Sequence, residues 1–313
     1  MAEVTAALVK ELREITGAGM MDCKKALQET AGDIDKAIEF LREKGLAGAV
    51  KKAGRIAAEG IVETLVCECG HDAVIVEVNA ETDFVAKNET FKSYVAEVAK
   101  QALESKAADM EAFLDEKWLL DESLTVKEKL SSMISIIGEN MNIRRFEKIN
   151  EENGFVVSYI HAGGKIGVLI DVETDKKSDA IVEMGKNIAM QVAALRPLYT
   201  SSDEVDADYI AKEKEILLAQ IHNDPKEASK PTNVIEGMVN GRIKKELKEI
   251  CLLDQTYVRA EDGKQSVAQY VEEVAKANSA NIKIKRFIRF ETGEGLEKKS
   301  EDFAAEVAKQ MSM

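Results

Sequence analysis

Prolines number only 3 in 313 residues, histidines 3 and cysteines 4, and aromatics make up 5% of the chain. So few prolines argue against a Pro-rich disordered tether, and the scarcity of rings points to aliphatic packing and helices. Four cysteines over this length do not form a disulfide framework and indicate a reducing compartment, the cytoplasm. No window approaches the roughly 18 apolar residues a membrane helix needs, so no membrane association is expected. The first residues carry Glu3, Glu11 and Glu14 where a secretory signal needs an unbroken apolar stretch. Basic charge is also short. Lys plus Arg total 43 against 57 Asp plus Glu, a net −14. That balance disfavours direct binding of nucleic acid, which needs a net basic face, and leaves a protein or small molecule as the partner.

What is present is enough for several cores. The chain is 45% hydrophobic and longer than one compact core usually holds, which predicts a multi-module protein. From Thr5 to Thr16 the residues Leu8, Leu12 and Ile15 recur at helical spacing, with Thr5 as N-cap and Gly17 as a left-handed C-cap. Asp22 is placed to cap a second helix through Leu27, and a third runs from Asp33 to Lys44 before Gly45. Ile34, Ala37, Ile38 and Leu41 line one face of that third helix. A core of this size is marginal alone and suits a docking module. Between the first two helices, Met20 and Met21 cannot both face so small a core, and an exposed methionine is an adaptable contact surface.

The middle of the chain repeats. Strand patterns at Ile61 to Val66 and Ala73 to Val78 precede a helix from about Asn88 to Ser105. Strand patterns at Phe155 to Ile160 and Ile166 to Val172 precede a second, from Ser178 to Leu195. Val74 through Asp83 aligns with Ile166 through Asp175 at an offset of 92, both ending in Glu-Thr-Asp. Each half closes on a similar strand, Asn142 to Phe146 and Ile284 to Phe290. The pattern predicts an α+β fold, a duplicated core of antiparallel sheets each covered by helices on one face. The second copy also carries an insertion from about Ser201 to Lys230, with Ile210, Leu217 and Ile221 on one helical face. The next helix shows Ile235, Val239, Ile243, Leu247 and Ile250, so the two are expected to pair as a protruding helical hairpin. The expected division is 1–54 for the N-terminal module and 55–150 for the first core subdomain. The second subdomain takes 151–200 and 231–291, the arm 201–230 and a C-terminal helical module 292–313.

Motifs for bond chemistry fail one by one. Gly17-Ala18-Gly19 follows a helix and lacks the third glycine of a dinucleotide fingerprint. Gly163-Gly164-Lys165 is followed by Ile166, not the Ser or Thr of a phosphate-binding loop. Cys67, Cys69 and His71 cluster, but no fourth ligand is spaced for a tetrahedral zinc site. No histidine stands beside an evident nucleophile, so neither an enzyme nor a cofactor or metal is expected. The residual signal is Thr82-Asp83-Phe84-Val85. An apolar aromatic stands at a strand-to-helix corner where the second copy has Lys176-Lys177-Ser178. Phe84 is either a core plug, which burial statistics favour, or a wedge for a partner. Asp83 is either a helix cap or a contact.

Gly17 through Leu27 together with Thr82 through Lys87 resembles bacterial elongation factor Ts, the family of guanine-nucleotide exchange factors for elongation factor Tu. Ile137-Gly138-Glu139-Asn140-Met141-Asn142-Ile143-Arg144-Arg145 and Ile288 through Glu297 resemble further signatures of that family, and the likeness spans the chain. The resemblance implies a ubiquitin-associated-like N-terminal module whose Arg13, Met20, Met21 and Lys24 dock on the nucleotide-binding domain of elongation factor Tu. It implies that Thr82, Asp83, Phe84 and Val85 form a tip inserted near the partner's magnesium and nucleotide, with Ile137, Gly138 and Asn140 alongside. It further implies that His161 touches another partner domain, and that the arm can serve a higher-order complex. The competing expectation is a scaffold whose N-terminal module binds protein without altering a nucleotide equilibrium.

Overall fold

The computed structural model describes residues 4–297. Most of the C-terminal helical module expected at 292–313 lies outside the described residues. Helix α1 (Ala6–Thr16) begins at Thr5, whose hydroxyl accepts the Leu8 N–H, and ends at Gly17 in the left-handed region. Helix α2 (Met20–Glu29) starts before Asp22, at an extended Gly19, so Asp22 sits in the first turn and is not the cap. Helix α3 (Ile34–Lys52) runs straight through Gly45 instead of stopping there. Gly45 is buried because a second helix passes over it. A Cβ there would stand 3.7 Å from the Ser131 carbonyl. The glycine serves close helix packing and not termination, and the small core of Leu12, Cys23, Leu27 and Ala37 is thereby joined to the rest of the chain.

The first core copy follows. Strands β1 (Glu59–Val66) and β2 (Asp72–Ala80) form an antiparallel hairpin, then a four-residue helix α4 (Asp83–Ala86) leads into α5 (Glu89–Glu104). A short helix α6 (Met110–Asp115) and a small hairpin of β3 (Lys117–Trp118) with β4 (Asp121–Thr125) bury Trp118 against the core. Helix α7 (Val126–Ile137), entered through a Thr125/Glu128 capping box, is the one that crosses Gly45. Strand β5 (Met141–Asn150) returns to pair with β2, giving the order β1-β2-β5.

The second copy repeats this with β6 (Gly154–His161), β7 (Ile166–Thr174) and α8 (Asp179–Leu195), which Ser178 caps. A helical hairpin is then inserted, α9 (Ala207–Asn223), the short α10 (Pro225–Ala228) and α11 (Thr232–Ile250). Its apolar cluster of Ile221, Ile235, Val239 and Ile243 draws on its own helices. Helix α12 (Val267–Asn278) and strand β8 (Ile282–Glu291) complete the sheet β6-β7-β8. Among the described residues, no helix is long and apolar enough to cross a membrane.

The structural equivalence of the copies differs from the sequence alignment by two residues. Gly60 matches Gly154, and the register shift after Glu77 matches that after Asp171, an offset of 94 rather than 92. A slip of two preserves side-chain faces, which is why the apolar pattern conceals it. Under the corrected offset the two Glu-Thr-Asp triplets are not equivalent. Helix α4 has no counterpart, because the second copy passes from β7 to α8 without a comparable helix.

Helices cover one face of each sheet, and the other face is covered as well, by the sister sheet. Val74, Val76 and Val78 pack under α5 and α7, and Val168, Ile170 and Val172 pack under α8 and α12. The opposite faces meet through Val62, Ala73, Ile75, Val156, Leu169 and Phe290, giving layers of helix, sheet, sheet and helix. Continuous apolar runs such as Val74-Ile75-Val76 follow from burial on both sides. Charges flank this apolar centre. Glu77 is fully buried, receives the Arg145 Nε at 2.7 Å and an Arg144 guanidinium nitrogen at 3.0 Å, and accepts the Gly293 N–H at 2.8 Å.

Cys67 and Cys69 are joined in a disulfide at the β1-β2 turn, with Cα atoms 5.3 Å apart. Sequence reading weighed these two residues only as part of an incomplete zinc cluster and did not foresee the bond. Spacing by one residue at the bending end of a strand brings the two sulfurs together, whereas Cys23 and Cys251 are free and buried.

Candidate partner-binding surface

The corner after β2 is built by side chains that bind backbone. Thr82 caps α4, its hydroxyl accepting the Val85 N–H, so Thr82 and not Asp83 is the cap. Two carboxylates then cross between neighbouring corners. Glu139, just past α7, accepts the Thr82 N–H at 3.0 Å and its hydroxyl at 2.8 Å. Glu81 accepts the Asn140 N–H at 2.6 Å and pairs with Arg55 at 3.3 Å. Asn140 closes the set by donating its side-chain amide to the Arg55 carbonyl at 2.8 Å. The segments after α3, β2 and α7 are thus tied at one point. Charge-assisted hydrogen bonds of this kind resist displacement more than neutral ones.

On that base the tip faces two ways. Val85 is half-buried against the first core, and Ala86 is buried. Phe84 is 80% exposed, the reverse of what burial statistics favour. Asp83 meets the Lys87 ammonium at 2.6 Å, and that hydrogen bond, with a weaker pull from Lys165, holds its carboxyl below the usual range. The same Lys87 ammonium lies 5.9 Å from the Phe84 ring centre. A short capped helix therefore presents one aromatic ring and an ionised carboxylate at a fixed angle.

A second surface adjoins it through α7. Gly17 turns against the Ile136 side chain, where an added Cβ would approach to 3.3 Å. Just beyond, Met20 and Met21 are 60% and 73% exposed, so neither enters the core. Arg13 and Lys24 are exposed beside them in sequence, on α1 and α2. From Ile136 the chain continues through half-buried Ile137 to the left-handed Gly138 that ends α7, and then to Glu139 of the corner. His161 is exposed at the end of β6, its Nδ1 2.9 Å from the Tyr159 hydroxyl. The turn it begins reaches the first copy where Lys165 pairs with Glu59, opposite the Ala80 end of β2.

Sequence reading selected Asn140 as a surface contact, but it is only 8% exposed and its amide is already engaged. It missed Arg55, Glu81 and Glu139. Glu81 lies inside a quoted Glu-Thr-Asp triplet and Glu139 inside the quoted stretch Ile137 to Arg145, and two acidic residues at two corners were the available signal.

Comparison with known proteins bears on the whole chain. The family model described as "Elongation factor TS" matches residues 81–294. Among curated relatives, "Elongation factor Ts" of Clostridium novyi is 52% identical over 309 residues, covering 99% of each chain. The protein of the same name from Clostridium tetani is 53% identical over 308 residues, covering 98% of this chain and 99% of its own. That of Clostridioides difficile is 52% identical over 311 residues, 99% of this chain and all of the relative. With likeness at this level running from the N-terminal helices to the last strand, the chain belongs to the elongation factor Ts family.

Proposed function

We propose that the chain accelerates GDP release from elongation factor Tu by inserting the Thr82–Val85 tip beside the partner's magnesium and nucleotide, so that GTP can rebind. The observation that carries this reading is Phe84, a ring left in water on a corner tied by Thr82, Glu139, Glu81, Asn140 and Arg55. A ring needed only for folding would be buried; one held outward is suited to enter another molecule. The reading assigns Phe84 the wedge and Asp83 a contact, while Thr82 and Val85 hold the tip in place. Ile137 and Gly138 flank it, Asn140 supports it from within, and His161 meets a further partner domain.

Magnitudes require a second anchor. By linkage, an exchange factor weakens the nucleotide as much as the nucleotide weakens it. A thousand-fold faster release needs about 4 kcal/mol of differential stabilisation. Burying one phenylalanine contributes roughly 1.5–3 kcal/mol. Arg13, Met20, Met21 and Lys24 are proposed to supply the rest by docking first and making insertion effectively intramolecular. The test is release of a fluorescent GDP from elongation factor Tu, with the intact chain and with Phe84→Ala. Equal rates with both would refute the wedge, and binding without any acceleration by the intact chain would favour a scaffold.

A further inference from the structure

We propose that Cys67 and Cys69 form a reversible redox site at the β1-β2 turn, cycling between dithiol and disulfide by exchange with a low-molecular-weight disulfide. This goes beyond the proposed exchange function and lies elsewhere on the fold. Strand β2 runs from Asp72 at this turn to Ala80 beside the Phe84 corner, a span of roughly 25 Å at strand rise.

The turn is built around the sulfurs. Cys67 donates its N–H to the Asp72 carbonyl at 2.8 Å and accepts the Gly70 N–H on its own carbonyl at 2.9 Å. The Asp72 N–H points at the Cys67 sulfur at 3.3 Å, and the His71 N–H at the Cys69 sulfur at 3.5 Å. Between them Gly70 adopts a left-handed φ of 81°, and the Lys177 ammonium stands 2.8 Å from where its Cβ would be. Backbone N–H groups aimed at both sulfurs favour thiolate charge, against the opposing Asp72 carboxylate, which lies within 4.8 Å of them. The hairpin holds the two Cα atoms at a separation that a disulfide spans without backbone movement.

Structural stapling does not account for the pair. A ring closed over one intervening residue constrains the unfolded chain little, because the entropic gain grows with loop length. The exposures are also unequal: Cys69 is exposed and Cys67 half-buried. Accordingly the Cys69 thiolate attacks one sulfur of the small disulfide, releasing one thiol and leaving a mixed disulfide on Cys69. The Cys67 thiolate then attacks the Cys69 sulfur, the protein bond forms, and the second small thiol leaves. One disulfide is reduced to two thiols as one protein dithiol is oxidised.

The experiment reduces the full chain, exposes it to a graded series of oxidised to reduced glutathione, quenches with acid and maps thiols by mass spectrometry. The expected result is an intramolecular Cys67–Cys69 bond that forms and reverses across the series, with buried Cys23 and Cys251 unmodified. In Cys67→Ser, a glutathione adduct is expected to accumulate on Cys69, about tenfold faster than on Cys67 in Cys69→Ser. A pair that stays dithiol at the oxidising end, or oxidises no more readily than Cys23 and Cys251, overturns the proposal. Stoichiometric zinc retained by the reduced wild-type chain, shielding both thiols from oxidant, overturns it in favour of a metal site.

Discussion

The backbone N–H of Val62 donates to the carbonyl of Gly164 at 2.7 Å, reaching from the edge of one sheet to the turn of the other. The duplicated partner of this bond is present too, Val156 N–H to Gly70 carbonyl at 2.8 Å. Within each sheet a further bond is duplicated. Glu151 N–H reaches the His71 carbonyl and Thr292 N–H the Lys165 carbonyl, both at 2.9 Å. The copies are therefore related by an approximate twofold in which each holds the other's hairpin turn. Gly164→Ala tests this joint. Its φ is 98°, and a Cβ would meet Ile61 Cγ2 at 2.7 Å. A loss of about 1–3 kcal/mol in urea unfolding is expected, against a smaller loss for Gly163→Ala, whose surroundings are open.

Phe84→Ala separates fold from wedge. With the ring 80% exposed, the change in stability should stay within about 0.5 kcal/mol. GDP release from elongation factor Tu should slow at least tenfold. A melting temperature lowered as far as a core truncation lowers it would show the ring to be buried in solution.

Glu139→Ala tests whether the corner must be rigid. The substitution leaves the Thr82 N–H and hydroxyl without their acceptors and should cost about 1–3 kcal/mol. Exchange should fall as well, although Glu139 itself need not touch the partner. Glu139→Gln, which keeps an acceptor oxygen, should restore part of both in paired denaturation and release assays.

The docking surface is best probed by substitution. Helix α3 lies on α7 at Gly45, and the Lys52 ammonium reaches the Ile134 carbonyl at 3.3 Å, so removing residues 1–54 would also strip the core. The double substitution Met20→Ala, Met21→Ala should leave the melt unchanged, since both side chains are exposed. It should weaken association with elongation factor Tu about tenfold or more in a titration.

Acidity should act through Asp171. Burial, and then the neighbouring Glu151 carboxyl, raise its pKa to about 6 from an ordinary 3.8, while Glu151 is lowered to about 2 against its burial, first by the hydrogen bond with Asp171 and then by those with Lys285 and the Asn153 N–H. The sign follows from linkage. Between about pH 4 and 6 the folded state holds the Asp171 proton more tightly than the unfolded one, so this group's stabilisation is lost as pH rises through that window. Glu151 acts oppositely, its contribution being lost as pH falls from about 4.5 toward 2. Asp171→Asn should flatten the fall in urea midpoint between pH 4 and 6.5; an unchanged slope would assign it elsewhere.

Much of the fold was legible because apolar spacing survives into helices and strands. The Thr5 cap, the helix starts at Asn88 and Ser178, the two hairpins and the paired arm helices all follow from local pattern. The misses have physical causes. Gly45 reads as a stop when nothing reveals the helix packed across it, and a two-residue slip leaves both faces of β2 and β7 unchanged. The second covered face of each sheet depended on the other copy, which local pattern does not contain. At the site, the exposed tip was found through a mismatch between the copies. The Glu81 and Glu139 ties were not, because acidic residues at corners are ordinary on a surface until the fold sets two corners side by side.

The reciprocal grip of the two turns also bears on how the molecule avoids its own kind. β1 and β6 each form one of the two borders of their sheets, the other borders being β5 and β8, and an unoccupied border strand invites pairing with a foreign chain. Val62 and Val156 each give their outward N–H to the sister copy. Duplication thus lets each copy shield the other's vulnerable margin, and single copies expressed alone should self-associate where the joined pair stays dispersed.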